Sequence, residues 1–182
     1  IILNRHQDGV EQITTALQHH KTIKTLDIVA HGSPGCLSLG NTQLKHSTLD
    51  DYAHQLKTWS QSLTPDAQIL IYGCHVAHLS QGLSFVEELS QLTQAKIAAS
   101  AHLTGAQELG GDWELEVKTG EIDTGLALAA EVRRAYDHVL ATNSLDDDWA
   151  QQTQNLLIQP EGIIATQNSS LNLADLNGSN GF

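Results

Sequence analysis

Positive charge is scarce in this chain of 182 residues, which has nine lysines and arginines against 21 aspartates and glutamates and a formal net charge of −12. Nucleic-acid binding depends on clusters of cationic side chains that contact phosphates, so this balance argues against a nucleic-acid partner. The same charge repels an anionic membrane surface. A basic protein substrate or a calcium ion suits the negative field, and we keep calcium as a candidate ligand.

Long hydrophobic runs are also missing. No stretch approaches the ~20 consecutive apolar residues of a membrane span, and no charged segment is followed by the apolar segment of an export signal. We therefore expect no membrane insertion. The length suits one domain with some residues to spare, and 40% hydrophobic residues are enough for an ordinary core.

Cysteine is rare, with only Cys36 and Cys74 in the chain. Two thiols do not make a disulfide framework, although a single bridge between them stays an alternative, because Cys36 lies five residues past His31 and so near the same sheet edge as Cys74. Such a bridge would deny Cys74 the thiolate that a nucleophilic cysteine needs. The ten histidines show no regular spacing of metal ligands, so we predict no metal-ligating residues.

The most informative features present are two apolar runs, at residues 26–30 and 68–73, that each end at a reactive side chain. His31 follows the first run and Cys74 follows the second. Continuous aliphatic runs are typical of strands buried on both faces of a parallel sheet. Since ligands bind beyond the carboxyl ends of such strands, we expect His31 and Cys74 at one sheet edge. An imidazole beside a thiol is a nucleophile with its base, which predicts a cysteine peptidase dyad.

Each of these two residues has a simpler interpretation when it is taken alone. His31 would be an ordinary loop residue, and Cys74 would be a small buried hydrophobe. Their shared position after strands favours the catalytic interpretation, as do the glycines beside them. Gly32 allows the backbone to approach a ligand closely, and Gly73 allows the sharp turn that presents the thiol.

Patterns typical of strands and helices alternate along residues 1–141, which predicts one α/β domain. We expect a three-layer α/β/α sandwich with a mainly parallel sheet and a peripheral β-hairpin. Asp8 would cap the first helix. The expected helices cover residues 9–17, 47–63, 85–92 and 126–140. Short strands are expected at residues 1–3 and 96–99, and hairpins over residues 36–44 and 112–124.

The composition changes after Ala141 to a polar sequence with isolated aliphatic residues. Residues 142–182 are therefore expected to form a linker or a loosely docked tail, with short strands at residues 156–158 and 163–164. Such a tail either lies across the active cleft of its own domain or serves as a solvated spacer to a further domain.

A strand that ends in His-Gly, followed by a strand that ends in Cys, resembles the caspase-like clan of cysteine peptidases, which includes caspases, legumain, gingipains, clostripain and separase. More closely, the chain resembles an uncharacterised bacterial domain family found near the N-termini of large repeat-containing surface or secreted proteins. This resemblance covers roughly residues 1–125 and rests on the runs HGSPGCLSLGNTQL, YGCHVA, IAASAHLTG and GGDWELEVKTG.

The resemblance implies a caspase-like fold and an extracellular or cell-surface location. Domains of the family usually carry one more strand and helix before the equivalent of Ile1, so we expect the chain to be N-terminally incomplete. The Gln-Ala-Cys of caspases is replaced by Tyr72-Gly73-Cys74. The caspase substrate preference is therefore unsupported.

A mechanism also follows from the resemblance. Cys74 would attack the scissile carbonyl, while His31 would accept the thiol proton and protonate the leaving amine. The backbone N–H groups of Gly32 and Cys74 would hold the oxyanion, a contribution of roughly 3–4 kcal/mol per donor in comparable sites.

The resemblance also suggests residues for the substrate pocket. In caspase-like folds the loop after the next strand helps to form it, and here that loop begins at Ser100, with Asp112 and Trp113 nearby in sequence. Asp112 could pair with a basic side chain of the substrate. Alternatively, Asp112 is a surface residue of a hairpin and Trp113 is a core contact.

Three functions remain open at this point. We predict an endopeptidase that needs no cofactor and acts on peptides or proteins, including its own large precursor. The alternative is a catalytically silent caspase-like module for interaction or assembly, which predicts an inaccessible thiolate at Cys74 and a cleft that is filled or collapsed. A weaker hypothesis is a calcium-stabilised structural domain, based on the acidic run at residues 146–148.

Overall fold

The structure is a computed structural model that describes residues 1–125, 128–141, 154–159 and 162–167, the last two ranges by their backbone. Its helices are α1 (Gly9–Gln18), α2 (Ala53–Trp59), α3 (Leu79–Thr93) and α4 (Ala130–Ala135). Its strands are β1 (Ile23–Val29), β2 (Gly32–Ser33), β3 (Cys36–Leu39), β4 (Thr42–Lys45), β5 (Leu63–Tyr72), β6 (Lys96–Ala99), β7 (Val117–Lys118), β8 (Gln154–Gln159) and β9 (Gly162–Gln167). In the described part of the chain, no helix is long and apolar enough to cross a membrane.

A six-stranded sheet in the order β7-β6-β5-β1-β9-β8 lies at the centre of the fold. The inner strands β6, β5, β1 and β9 are parallel, and the edge strands β7 and β8 are antiparallel to their neighbours. Val29 and Tyr72 face each other at the carboxyl ends of β1 and β5. The two apolar runs are therefore adjacent strands that end at the same sheet edge, as their composition predicts.

The two faces of this sheet are covered differently. Successive side chains of a strand point to opposite faces, so Leu26 and Ile28 share one face of β1 while Val29 lies on the other. The first face packs against α1, α2 and α3 in a large apolar cluster. The second face packs against Val132 of α4 and the chain around it in a smaller cluster. This layering confirms the predicted α/β class with a mainly parallel sheet.

Helix α1 begins where the sequence predicts, at a capping aspartate. One carboxylate oxygen of Asp8 accepts the N–H groups of Val10 and Glu11 at 2.8 and 3.1 Å. The other accepts the hydroxyls of Thr42 and Tyr52 at 2.7 and 2.6 Å. Burial opposes ionisation of Asp8, but the four hydrogen bonds outweigh it and lower the pKa of this carboxyl. The cap thus also ties α1 to β4 and the segment before α2.

Two predictions in the first half of the chain are wrong. Residues 1–3 do not form a strand, although Leu3 is buried. The helix expected over residues 47–63 is reduced to α2, which two 3₁₀ turns precede, at His46–Thr48 and Asp50–Tyr52. Its last expected residue, Leu63, begins β5 instead, because it finds a strand partner in Ile23. The spacing of apolar residues cannot show that Leu63 pairs with a distant strand and does not continue the helix.

The hairpin expected over residues 36–44 is confirmed as β3 and β4, joined by β2 into a separate antiparallel sheet. The hairpin expected over residues 112–124 is wrong. Only β7 forms there, and it pairs with β6. The side chain of Gln68 accepts the N–H groups of Asp123 and Thr124. Both halves of the expected hairpin therefore find partners in the main sheet.

The final predicted helix is shorter in the structure. It was expected over residues 126–140, but α4 ends at Ala135, and Tyr136 has the extended φ and ψ of −77° and 114°. Residues 126 and 127 lie outside the described residues. The short strands expected at residues 156–158 and 163–164 are confirmed as β8 and β9, and β9 pairs in parallel with β1. The rest of the expected linker or tail lies outside the described residues.

Candidate active site

The candidate active site is formed where the loops after β1 and β5 meet. His31 is 7% exposed and Cys74 is fully buried. Residue 32 has to be a glycine where the two loops meet. A Cβ at this position would lie 2.4 Å from Cγ2 of Val76 and 2.9 Å from the carbonyl oxygen of Cys74. The missing side chain lets the backbones of the two loops come together.

The two N–H groups expected to hold an oxyanion point to one atom. The N–H groups of Gly32 and Cys74 both donate to the carbonyl oxygen of Leu140, with N···O distances of 2.9 and 3.4 Å. Two backbone donors that converge on one carbonyl oxygen are the arrangement of an oxyanion hole. The sequence does not predict Leu140 as their shared acceptor.

Residues 138–141, which we call the cleft segment, pair through their backbone with the loop after β6. The N–H of Leu140 donates to the carbonyl of Thr104 at 2.9 Å, and the N–H of Ala106 donates to the carbonyl of His138 at 2.8 Å. Gly105 forms an antiparallel bridge with Val139 between these two bonds. An extended peptide that adds to exposed backbone in this way is a common mode of peptide recognition.

Gly105 is required for this close approach. Its φ is +134°, a backbone conformation that favours glycine, and a Cβ on it would lie 2.3 Å from the carbonyl oxygen of His138. A side chain at residue 105 would therefore collide with the cleft segment.

The side chain of Leu140 is fully buried in the smaller apolar cluster. That cluster includes Val29, Tyr72 and Cys74, with Trp113 packed against it. The Trp113 ring lies 6.0 Å from the ring of Tyr72 and 5.6 Å from that of Tyr136, measured between centroids. Trp113 is thus a contact of this apolar cluster, in line with the alternative interpretation of it as a core contact, and its contact with a substrate stays a prediction.

The thiol of Cys74 is held and covered. The N–H of Thr104 donates to Sγ at 3.2 Å, and Sγ lies 3.5 Å from the carbonyl oxygen of the same residue. Burial raises the pKa of the Cys74 thiol to about 11, against a smaller opposite effect of the backbone hydrogen bonds. The thiol is therefore neutral at neutral pH in this arrangement. Cys36 and Cys74 are both free thiols, so the alternative of a bridge between them does not describe the structure.

His31 contacts the residue that follows Leu140. Its Nδ1 is 3.1 Å from the carbonyl oxygen of Ala141, and Gly32 forms a parallel bridge with Ala141. The imidazole therefore contacts the cleft segment itself, while the thiol contacts Thr104, whose carbonyl accepts the N–H of Leu140.

The other predicted pocket residues support the site through the backbone. Ser100 is buried; its hydroxyl donates to the carbonyl of His102 at 3.1 Å, and its carbonyl accepts the N–H of Ala77 at 2.9 Å. Asp112 is exposed, and its carboxylate accepts the N–H of Glu114 at 2.9 Å. The carbonyl of Asp112 accepts the N–H of Gly105 at 2.8 Å. Contact of Ser100 or Asp112 with a substrate stays a prediction.

Four residues of the site are not predicted from the sequence: Thr104, Gly105, Ala106 and Leu140. The first three lie in a loop whose apolar and polar pattern carries no signal of pairing. Leu140 has the spacing of a helix residue and is assigned to a helix for that reason. Gly105, inside the run IAASAHLTG, is the one visible signal, since glycine often marks a close approach of backbones.

Metal-ligating side chains do not cluster in the described part of the chain, where no group of three or more histidines, cysteines or carboxylates could hold an ion. The acidic run at residues 146–148 lies outside the described residues. Calcium binding therefore stays a prediction.

Comparison with known proteins identifies a family. A comparison with curated proteins and one with solved structures each found no match. A protein-family model with the description "Domain of unknown function (DUF4347)" matches residues 1–140. The match spans most of the chain and contains both loops of the candidate site and the cleft segment through Leu140, which confirms the resemblance to an uncharacterised domain family. The chain therefore belongs to the DUF4347 family.

Proposed function

We propose that this protein is a cysteine endopeptidase of the caspase-like kind, with Cys74 as the nucleophile and His31 as the acid and base. The observation that carries the proposal is the convergence of the Gly32 and Cys74 N–H groups on one carbonyl oxygen, beside a thiol and an imidazole. Acyl transfer requires these three components: a nucleophile, a proton carrier and paired donors for the oxyanion.

The catalytic cycle uses each group at a defined atom. The thiol proton passes to His31, Sγ attacks the carbonyl carbon, and the N–H groups of Gly32 and Cys74 stabilise the oxyanion by roughly 3–4 kcal/mol each. His31 then protonates the departing amine, and water hydrolyses the thioester. Because burial raises the pKa of Cys74 to about 11, His31 has to take the thiol proton before Sγ can attack.

The substrate is, on this proposal, a peptide or protein that includes the precursor of the domain itself. An extracellular or cell-surface location belongs to the same proposal and rests on the sequence resemblance alone.

One observation favours the alternative of a silent interaction or assembly module. Cys74 is fully buried and the cleft is filled, as that alternative predicts. The manner of filling supports the peptidase instead. The cleft segment pairs with the loop after β6, and it places a carbonyl oxygen on the two proposed oxyanion donors. A module without catalysis has no need of this placement.

The proposal is tested with the purified full chain at neutral pH, with and without calcium. Cleavage of the chain itself and of casein is followed by denaturing gel and intact mass. We expect the Cys74→Ala variant to lose all cleavage and His31→Ala to lose about 100-fold or more. The matched control is Cys36→Ala, which removes the other buried thiol and should cleave as the wild type does.

Circular dichroism establishes that each variant is folded. Equal cleavage by Cys74→Ala and wild type would exclude the proposed nucleophile. A folded wild type that cleaves neither itself nor casein would support the silent module.

A further inference from the structure

We propose that the site cuts its own chain at the Leu140–Ala141 peptide bond and that its apolar pocket selects leucine before the cut. This inference rests on the proposed function and deepens it by naming the substrate. It is carried by the register of the cleft segment, by the contacts of Thr104 and by the burial of the Leu140 side chain.

Backbone hydrogen bonds fix the register of the cleft segment. The carbonyl of His138 and the N–H of Leu140 bind Ala106 and Thr104 in the alternating pattern of an antiparallel pair. With those two bonds made, the carbonyl oxygen of Leu140 falls on the N–H groups of Gly32 and Cys74. The carbonyl carbon presented for attack is therefore that of Leu140.

Thr104 holds the nucleophile and the substrate at the same time. Its N–H donates to Sγ of Cys74 at 3.2 Å, and its carbonyl accepts the N–H of Leu140 at 2.9 Å. The thiol and the residue to be attacked are thus bound to the two backbone groups of one buried residue. Beyond Leu140, the chain passes Nδ1 of His31, which contacts the carbonyl of Ala141 on the leaving-group side.

The pocket suits an uncharged side chain. Leu140 is fully buried among aliphatic and aromatic residues of the smaller cluster. A carboxylate at this position would be buried without a partner, which is strongly unfavourable, whereas methionine has a similar volume.

The proposed reaction balances with water as the second reactant. The thiol proton moves to His31, the bond from Sγ to the Leu140 carbonyl carbon forms, and the bond to the Ala141 nitrogen breaks as that nitrogen takes the proton. Water then cleaves the thioester, which leaves a carboxylate on Leu140 and restores the Cys74 thiol. The products are fragments 1–140 and 141–182.

The experiment follows self-cleavage of the purified full chain by intact mass and N-terminal sequencing after denaturation. Denaturation is needed because β9, in the second fragment, pairs with β1 in the first. We expect a new N-terminus at Ala141 that is absent from Cys74→Ala. We expect Leu140→Asp to slow cleavage by about 100-fold or more and Leu140→Met to stay within about tenfold of wild type. The matched control Ala135→Asp places the same carboxylate at an exposed position outside the cleft segment and should cleave normally.

The outcomes separate this inference from the proposed function. Cleavage that depends on Cys74 but occurs at another bond, or that Leu140→Asp does not slow, would overturn the inference and leave the peptidase intact. Cleavage of casein with an intact Leu140–Ala141 bond would mean that the cleft segment is an inhibitor and not a substrate. Failure to cleave either one would remove the proposed function itself.

Discussion

Backbone groups make most of the contacts in the candidate active site. Single residues are important there because they allow backbone segments to approach one another. Gly32 allows the two loops to meet, and Gly105 allows the cleft segment to lie against the loop after β6. Thr104 joins Cys74 to Leu140 through its N–H and its carbonyl. Substitutions at these residues should therefore change the access to Cys74 more than the chemistry of any side chain.

Gly105→Ala should expose the Cys74 thiol. The new Cβ would lie 2.3 Å from the carbonyl oxygen of His138, and the φ of +134° is unfavourable for alanine, so the cleft segment should be displaced. We expect iodoacetamide to label Cys74 at least tenfold faster than in wild type, as measured by peptide mass. The reaction of Cys36 serves as the internal reference.

Gly110→Ala is the matched control for this prediction. Gly110 also has a positive φ, of +82°, but a Cβ on it would meet no atom closer than 3.9 Å. It also places alanine at a positive φ, but without touching the cleft segment. Equal labelling of Cys74 in both variants would show that strain, and not the collision, is responsible.

Among the elements, β1 is the strand at the centre of the fold. It pairs with β5 on one side and β9 on the other, and it is buried on both faces. In its middle lies Asp27, which is 1% exposed, and whose carboxylate oxygens have no hydrogen-bond partner among the described residues. Burial raises the pKa of Asp27 to about 7.

The stability of the fold should therefore fall as the pH rises from about 4 to about 7. Asp27 binds a proton more tightly in the folded than in the unfolded chain, so its favourable contribution is complete below the unfolded pKa and is lost as the pH passes the folded one. Between these pH values the wild type should lose on the order of 2–4 kcal/mol of its free energy of unfolding through Asp27, and we expect the Asp27→Asn variant not to show this loss.

Urea denaturation of both proteins at several pH values measures this difference, since the other titrating groups are common to both. Stability curves that stay parallel from pH 4 to pH 8 would show that Asp27 keeps its ordinary pKa in the folded protein.

For the whole molecule, the cleft and the sheet are connected by the chain that leaves the site. The cleft segment ends at Ala141, beside His31, and the chain later returns as β9, which pairs with Thr25 to Val29 of β1. A cut after Leu140 therefore frees the new N-terminus at Ala141 from the active site. The hairpin of β8 and β9 stays in the sheet, because β9 remains paired with β1.

The two fragments should consequently stay together after cleavage. We expect fragments 1–140 and 141–182 to elute as one species in gel filtration under native conditions and to separate in denaturant. The uncleaved Cys74→Ala chain gives the reference elution volume. Separation of the fragments in native buffer would show that the pairing of β1 with β9 is too weak to hold them.

Local sequence was sufficient for the framework of the site. The aliphatic runs before His31 and Cys74 predict two buried parallel strands, and the structure pairs them as neighbours. Asp8 predicts the start of α1, because a cap depends on residues within one turn. The fold class and the position of the two loops could therefore be anticipated from contacts close in sequence or from strand composition, whereas the proposed oxyanion donors came from the family resemblance.

The tertiary structure alone decided what fills the cleft. Leu140 has the spacing of a helix residue, yet its N–H binds Thr104 and its carbonyl binds Gly32 and Cys74, all of which are distant in sequence. Residues 112–124 alternate as a hairpin would, yet β7 pairs with β6. A backbone donor or acceptor pairs with whatever partner the fold brings near, and side-chain periodicity carries no information about that partner. The sequence thus determined which residues reach the sheet edge, and the fold determined that the chain's own backbone lies across them.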